Sequence, residues 1–370
     1  MANPAVLLPS CKSTTQRALI CAALGRGEVV LQNVSIADDC RDLRRGLQAL
    51  GVSMTPLDRT GDWLIRGCNG NIPQKEAVLD CGAGGTTFRF LWALCATQGG
   101  DYQFRVDAQL KRRPHDDLFE ATSQLNARME STDEGWCLDS RDWQPRDIIV
   151  QSDVSSQFIS AFTLAQFNGT TFLVTAVPEK SRPYFELTER VLAQFAELPE
   201  RYSIPADFSA AMYFAGRALV EKSTVHFAHD ISLDHPEKYA YRFLQKHFGL
   251  RWASSSFVVD KVNTANDALP LSYDVALAPD ASLLVAVVCR IFARNVDFVN
   301  SALLQHKESD RQRALHHLQH AVYEIDTLDD HRIAMAAAVL QLAAPELRIN
   351  GRDCVSKSFP DFFKQWSQFA

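Results

Sequence analysis

Residues 85–96, GTTFRFLWALCA, open on a small polar stretch and continue with apolar side chains on almost every side. A helix without a polar face is normally buried inside a domain. Its first-turn N–H groups still need partners, and its dipole makes that end attractive to anions. Five other stretches repeat the pattern. Lys12-Ser13 precedes RALICAAL, Ser155-Ser156 precedes FISAFTLAQF, and Asp207 to Ser209 precedes AAMYFAGRALV. Asp280 to Ser282 precedes LLVAVVCRIFA, and Asp330-His331 precedes IAMAAAVLQLAA. Six such ends, brought together, would form a strong anion cage.

The openings recur at intervals of roughly 70 residues in three cases and roughly 50 in two. After each apolar run comes a strand-like segment: VVLQNV, DYQFRV, TTFLVT, STVHFA, VDFVN and LRIN. A helix with a single apolar stripe follows, as in DLRRGLQALG and FELTERVLAQF; the sixth ends in FPDFFKQWSQF. The longer units then add further strands, such as DWLIRG with AVLDCG and WCLDS with DIIVQS. The period reads as a βαβαββ unit repeated six times in an α/β protein, with the terminal strand AVLLP completing the last unit. Between Tyr184 and Asp207, and between Glu308 and Asp330, the chain is too short for a full outer hairpin. Units three and five are therefore expected to be truncated.

Composition narrows the functional classes. The 370 residues suffice for one large domain or two medium ones, and 46% hydrophobic with 22% charged residues fits a soluble globular chain. A net charge of -6 argues against nucleic acid or a membrane surface as partner. No apolar run reaches the roughly 18 residues needed to span a bilayer, and the start, MANPAVLLPSCKS, lacks the features of a signal peptide. Nine cysteines without CxxC spacing favour reduced thiols in a cytoplasmic protein.

In this acidic chain, basic residues gather at or near the helix openings: Lys12, Arg17, Arg89, Arg113, Lys307, Arg311, Arg332 and Lys357. Singly, each also reads as a solvated surface charge. Arg89 and Arg332 resist that reading, because each lies in the first turn of a run that must be buried, and a buried arginine implies a negative partner. Two acids stand beside this positive field. Asp280, in APDAS, reads either as a helix cap or as a proton acceptor. Glu308, in HKESDR, reads either as a surface ion pair or as the second member of an acid–base pair. No metal-ligand spacing, GxxxxGK[ST] loop or GxSxG elbow is present, so the residues point to a transfer reaction without metal or cofactor.

At this point the chain resembles the enolpyruvyl transferases. LPSCKSTTQRAL, DCGAGGTTFRFL, LKRRP, DVSSQF, KSRPY, APDAS, KESDR, DTLDDHRIAM and CVSKSFPDFF follow in the family's order from about Leu7 to Phe363. The resemblance implies an inside-out, barrel-like α/β fold of two domains with three units each. It places one domain at 12–207 and the other at 1–11 plus 208–370, with the active site in the interdomain cleft. It implies small-molecule substrates, phosphoenolpyruvate and shikimate 3-phosphate, in a monomer. Lys12, Arg89, Arg113, Gln157, Arg311, Arg332 and Lys357 would hold phosphoenolpyruvate. Ser13, Arg17, Ser155, Ser156, Gln157, Ser181, Asp280 and Lys307 would hold shikimate 3-phosphate, with Tyr184 nearby. Asp280 would take the proton of the attacking 5-hydroxyl, and Glu308 with Lys12 would serve protonation of C3 and its reversal.

The chain departs from the family pattern in places. Ser10 and Cys11 stand where a glycine and a serine are usual, Ala83 replaces an asparagine of the glycine-rich segment, and Asp329 replaces the asparagine before the DHR motif. The sister branch acting on UDP-N-acetylglucosamine looks to a cysteine shortly before the Arg-Pro step, and VDAQLKRRP has none. A transferase diverged towards another anionic ring, or a ligand-binding relative without turnover, would share most of these motifs. A mere binder, however, has no need of Asp280 and Glu308.

Overall fold

The computed structural model describes residues 5–57, 61–151, 155–167, 169, 174–175, 182–262, 270–305, 307–320 and 323–369. The chain forms two compact units, one of Ser10–Pro205 and one of Met1–Pro9 with Ala206–Ala370.

The unit Ser10–Pro205 begins with α1 (Lys12–Leu24), β1 (Glu28–Gln32), α2 (Asp38–Ala49), β2 (Ser53–Pro56), β3 (Trp63–Arg66) and β4 (Glu76–Asp80). Next come α3 (Gly85–Ala96), β5 (Asp101–Arg105), α4 (Ala108–Lys111), α5 (Asp116–Gln124), β6 (Arg128–Ser131), β7 (Gly135–Asp139) and β8 (Ile148–Ile149). It closes with α6 (Ser156–Ala165), β9 (Val174–Thr175), α7 (Arg182–Ala196) and β10 (Arg201–Ser203). Of the strand expected at TTFLVT, Val174 and Thr175 are seen; the rest of that run lies outside the described residues.

The second unit runs α8 (Phe208–Glu221), β11 (Thr224–His226), α9 (Lys238–Phe248), β12 (Arg251–Trp252), β13 (Ser256–Val258) and β14 (Leu271–Asp274). It continues through α10 (Ser282–Ile291), β15 (Val296–Val299), α11 (Arg311–His320) and β16 (Glu324–Asp326). The last elements are α12 (His331–Ala343), β17 (Arg348–Asn350) and α13 (Phe362–Ser367).

The apolar runs do form the interior. In α1 every residue from Thr14 to Leu24 is buried, and in α12 every residue from His331 to Leu340. The strands lie outside, with one face on the helices: β1 and β5 bury alternate residues. Each unit has its own core, one around α1, α3 and α6, the other around α8, α10 and α12.

Parallel pairing ties the repeats together. β4 pairs β5 across α3, β8 pairs β9 across α6, β14 pairs β15 across α10, and β16 pairs β17 across α12. β10 returns to pair β1, and Val6 bridges Phe227 beside β11, so the linking strand of the last repeat meets the first in each unit. The terminal strand expected at AVLLP is reduced to that bridge. Antiparallel hairpins, β2–β3, β6–β7 and β12–β13, extend the sheets of the first, second and fourth repeats. Among the described residues of the third and fifth repeats, β10 and β16 alone remain between the outer helix and the next buried one, as the short intervals implied. The retained strand closes the parallel ladder; the missing hairpin would only extend a sheet edge.

Candidate active site

In Ser10–Pro205 the amino ends of α1, α3 and α6 meet. Gln16 of α1 donates to Thr87 Oγ1 at 3.2 Å, and Arg89 of α3 donates to Gln157 Oε1 at 2.5 Å and to Ser155 Oγ at 3.4 Å. Among the described residues no acid caps these helices: Cys11 and Gly84 give no side-chain cap, and Ser155 offers a neutral hydroxyl to Gln157 N. Lys12 Nζ reaches Asp39 Oδ2 at 2.8 Å, and Thr87 Oγ1 donates to Asp39 O at 2.7 Å, so the start of α2 joins the cluster. Arg113 lies over Gly85: a Cβ there would stand 2.5 Å from its Nη1, so glycine is what lets the guanidinium reach the start of α3.

Two arginines in this cluster are buried. Arg17 donates to Thr188 Oγ1 at 2.8 Å, Ser13 O at 2.9 Å and Tyr184 O at 3.1 Å. Arg89 also donates to Pro114 O at 3.3 Å and sits 4.7 Å over the Phe158 ring. Among the described residues neither pairs with a carboxylate. Burial lowers the Arg17 pKa to about 10, and burial with the nearby Arg113 charge holds Arg89 well below its ordinary value. Cations kept dry by neutral dipoles alone are costly, and a bound anion offsets that cost.

His115 pins the loop that carries Arg113. Its Nε2 lies 3.0 Å from Leu110 O, and its ring packs among Phe88, Phe119 and buried Trp136. Burial, then the Arg89 charge, moves its pKa from 6.5 to about 3. The unfolded chain therefore binds a proton at this site that the folded chain refuses. His115 adds stability above pH 6.5 that is lost as pH falls towards about 3. His115→Gln, neutral throughout and able to donate to Leu110 O, is expected to flatten the acid fall in thermal unfolding temperature. An unchanged slope would mean that other groups set it.

In the second unit the predicted groups form an ion-pair network. Buried Arg311 donates from Nε to Asp330 Oδ2 at 2.6 Å, from Nη2 to Asp330 Oδ1 at 3.0 Å and from Nη1 to Asp280 Oδ1 at 2.9 Å. Arg332 Nη2 holds the other Asp280 oxygen at 3.0 Å. Glu308 is shared by Arg311 at 3.4 Å, Lys357 at 3.2 Å and His331 Nδ1 at 2.9 Å. Lys357 also donates to Asp329 O at 2.7 Å and Asp329 Oδ2 at 2.6 Å. Burial opposes the charge on Arg311, yet Asp330 and Asp280 outweigh it and raise its pKa. The same contest raises Lys357, through Glu308 and Asp329.

This network removes one of the two readings left open above for each acid. The negative partner implied for Arg332 is Asp280, and Glu308 lies mostly out of solvent rather than in a surface pair. Asp280 is no helix cap. The N-cap of α10 is Ala281, whose N–H goes to fully buried Glu237 Oε2 at 2.9 Å, with Asp280 N 3.4 Å from Oε1. The expectation of six anion-seeking helix ends needs correcting in this unit. Asp207 accepts from Ala210 N at the start of α8, Asp330 from Arg332 N at α12, and Glu237 serves α10. A helix end that already holds a carboxylate has little attraction left for a ligand's charge. Glu237, Asp39 and the hub role of Asp330 were missed in the sequence. EKYAYRF reads as a solvated helix start, and nothing local ties position 237 to 280.

Glu308, Asp330 and His331 bring ligand-type atoms within 4.8 Å of one another. Arg311 bonds both carboxylates, and its fixed positive charge makes the cluster a poor cation site. Of the remaining predicted residues, Ser13 contributes its carbonyl to Arg17, Ser156 opens α6, and Lys307 follows the turn after Leu304. Ser181 lies outside the described residues. No helix among the described residues is long and apolar enough to cross a membrane.

The chain matches the family model of EPSP synthase (3-phosphoshikimate 1-carboxyvinyltransferase) over residues 3–319 and 314–366. Relatives named 3-phosphoshikimate 1-carboxyvinyltransferase from Ralstonia nicotianae and Paraburkholderia phytofirmans are each 30% identical, covering 100% of this chain and 97% of theirs. The alignment with the first runs over 424 residues against 370 here, so the relatives carry stretches that this chain lacks. Among solved structures, EPSP synthase from Acinetobacter baumannii gives a TM-score of 0.73 at 18% identity, covering 100% of this chain and 97% of that one. The enolpyruvyl transferase NikO from Streptomyces tendae gives 0.71 at 11% identity, covering 99% and 94%. These structures share the two-domain α/β fold.

Proposed function

The chain belongs to the EPSP synthase family, and from that premise we infer that it transfers the enolpyruvyl group of phosphoenolpyruvate to the 5-hydroxyl of shikimate 3-phosphate. The hydroxyl oxygen bonds to C2 of phosphoenolpyruvate while C3 gains a proton. The resulting intermediate then loses inorganic phosphate and the C3 proton, leaving the enol ether.

The observation that carries this reading is the contrast between the two clusters. Among the described residues, Arg17 and Arg89 are buried without carboxylate partners beside helix ends that no acid caps, which suits phosphate-bearing ligands. Asp280 and Glu308 are held among Arg311, Arg332 and Lys357, which suits a cationic transition state and proton transfer. In this assignment Lys12, Arg89, Arg113 and Gln157, with Arg311, Arg332 and Lys357, hold phosphoenolpyruvate. Ser13, Arg17, Ser155, Ser156, Gln157, Ser181 and Lys307 hold the acceptor, whose 5-hydroxyl loses its proton to Asp280. Lys12 and Glu308 exchange the C3 proton. Nine cysteines, none of them in a disulfide, support a cytoplasmic setting, and one chain supplies every group named.

The test is phosphate release in the presence of a chelator. Release that requires both phosphoenolpyruvate and shikimate 3-phosphate is expected. Release only with a different anionic ring would overturn the acceptor assignment, and tight binding of both ligands without release would overturn turnover itself.

A further inference from the structure

Lys357 is surrounded by acceptors. Its ammonium donates to the Asp329 carbonyl and carboxylate and lies 3.2 Å from Glu308 Oε1, while its side chain is only 13% exposed. A substrate anion that needs this ammonium must therefore displace one of them. The Asp329 carbonyl is fixed in the backbone, and Glu308 is itself mostly enclosed and shared with Arg311. The Asp329 carboxylate, 65% exposed, is the one that can swing into water at small cost.

Its backbone keeps it at hand. Leu328 and Asp329 both adopt left-handed conformations, with φ of 50° and 56°. The turn is held by Leu328 N on Asp326 Oδ1 at 2.9 Å and Asp330 N on Thr327 O at 2.8 Å. Left-handed backbone is costly for leucine and tolerable for aspartate or asparagine. The turn thus presents the carboxylate to Lys357 at 2.6 Å, immediately before Asp330 and Arg332.

We propose that the Asp329 carboxylate is a removable stand-in for the substrate anion on Lys357 and thereby sets the affinity for phosphoenolpyruvate. The proposal rests on the assignment of Lys357 to that substrate. Asp329 is a specificity-setting residue here, acting through the lysine rather than on the reacting atoms.

Asp329→Asn is the test, because asparagine keeps the left-handed turn and can still accept a hydrogen bond while removing the competing charge. Steady-state phosphate release should show KM for phosphoenolpyruvate falling about two- to fivefold, with kcat changed less than KM. The alkaline limb of the pH profile should move to lower pH as the lysine loses one acid. A merely structural role would lower kcat without that split. Lys357→Ala is measured in parallel. If it raises KM for phosphoenolpyruvate while Asp329→Asn leaves KM unchanged or higher, the stand-in proposal alone fails. If Lys357→Ala also leaves KM unchanged, the assignment of Lys357 fails and takes the proposal with it.

Discussion

Glu308→Gln is expected to lower kcat by about two to four orders of magnitude, with solvent deuterium exchange into C3 of phosphoenolpyruvate lost in parallel. The carboxylate lies 3.2 Å from Lys357, 3.4 Å from Arg311 and 2.9 Å from His331 Nδ1, a setting in which it can pass a proton while its charge remains compensated. Glutamine fills the same volume but can neither accept nor return that proton, and one of its faces would present N–H groups to the cations. Arg311 would keep its bidentate bond to Asp330, so the fold should survive. Near-normal turnover with exchange into C3 intact would remove Glu308 from the proton chemistry.

Arg89→Met should show opposite effects on stability and binding. The guanidinium is buried, bonded to Gln157, Ser155 and Pro114 O, and pushed well below its ordinary pKa by burial and by Arg113. An apolar side chain of similar length removes that desolvated charge, and replacing buried charge with packed hydrophobic volume is often neutral or stabilising by about 1–4 kcal/mol. The ligand-free protein should therefore unfold at the same temperature or higher. Binding should weaken by about 2–5 kcal/mol, the range for losing one partner of a buried charged contact. The measurement is thermal unfolding with and without both substrates, together with calorimetric titration of phosphoenolpyruvate. A large loss of ligand-free stability with affinity intact would make Arg89 a structural residue and sink its assignment.

The buried helices were legible in the sequence because an all-round apolar run such as IAMAAAVLQLAA leaves no other place to go. The trimmed third and fifth repeats were legible from spacing alone, since too few residues stand between Tyr184 and Asp207 for a hairpin. Burial of Arg89 followed from its place in the first turn, and so did the need for a negative partner of Arg332. What stayed hidden was pairing between distant positions. Asp280 lies at a position where a cap is the usual reading, yet Glu237, 43 residues earlier, takes the N–H groups of Asp280 and Ala281 just before α10, and the Asp280 side chain goes to Arg311 and Arg332. Asp330 reads locally as a cap and is one, but its second role, gripping Arg311 with both oxygens, depends on a contact with the preceding outer helix. Local pattern fixes where a helix begins; it does not say which acid answers which base.

The bridge of Val6 to Phe227 has a consequence for biosynthesis. The stretch around Val6 belongs to the same compact unit as the chain from Ala206 onward, whereas Ser10–Pro205, which lies between them, is contiguous and can condense as soon as it has emerged. Val6 must wait for the whole intervening stretch before its neighbour Phe227 exists. A permuted chain in which Ala206–Ala370 precedes Val6 and its neighbours would make both units contiguous and remove that delay.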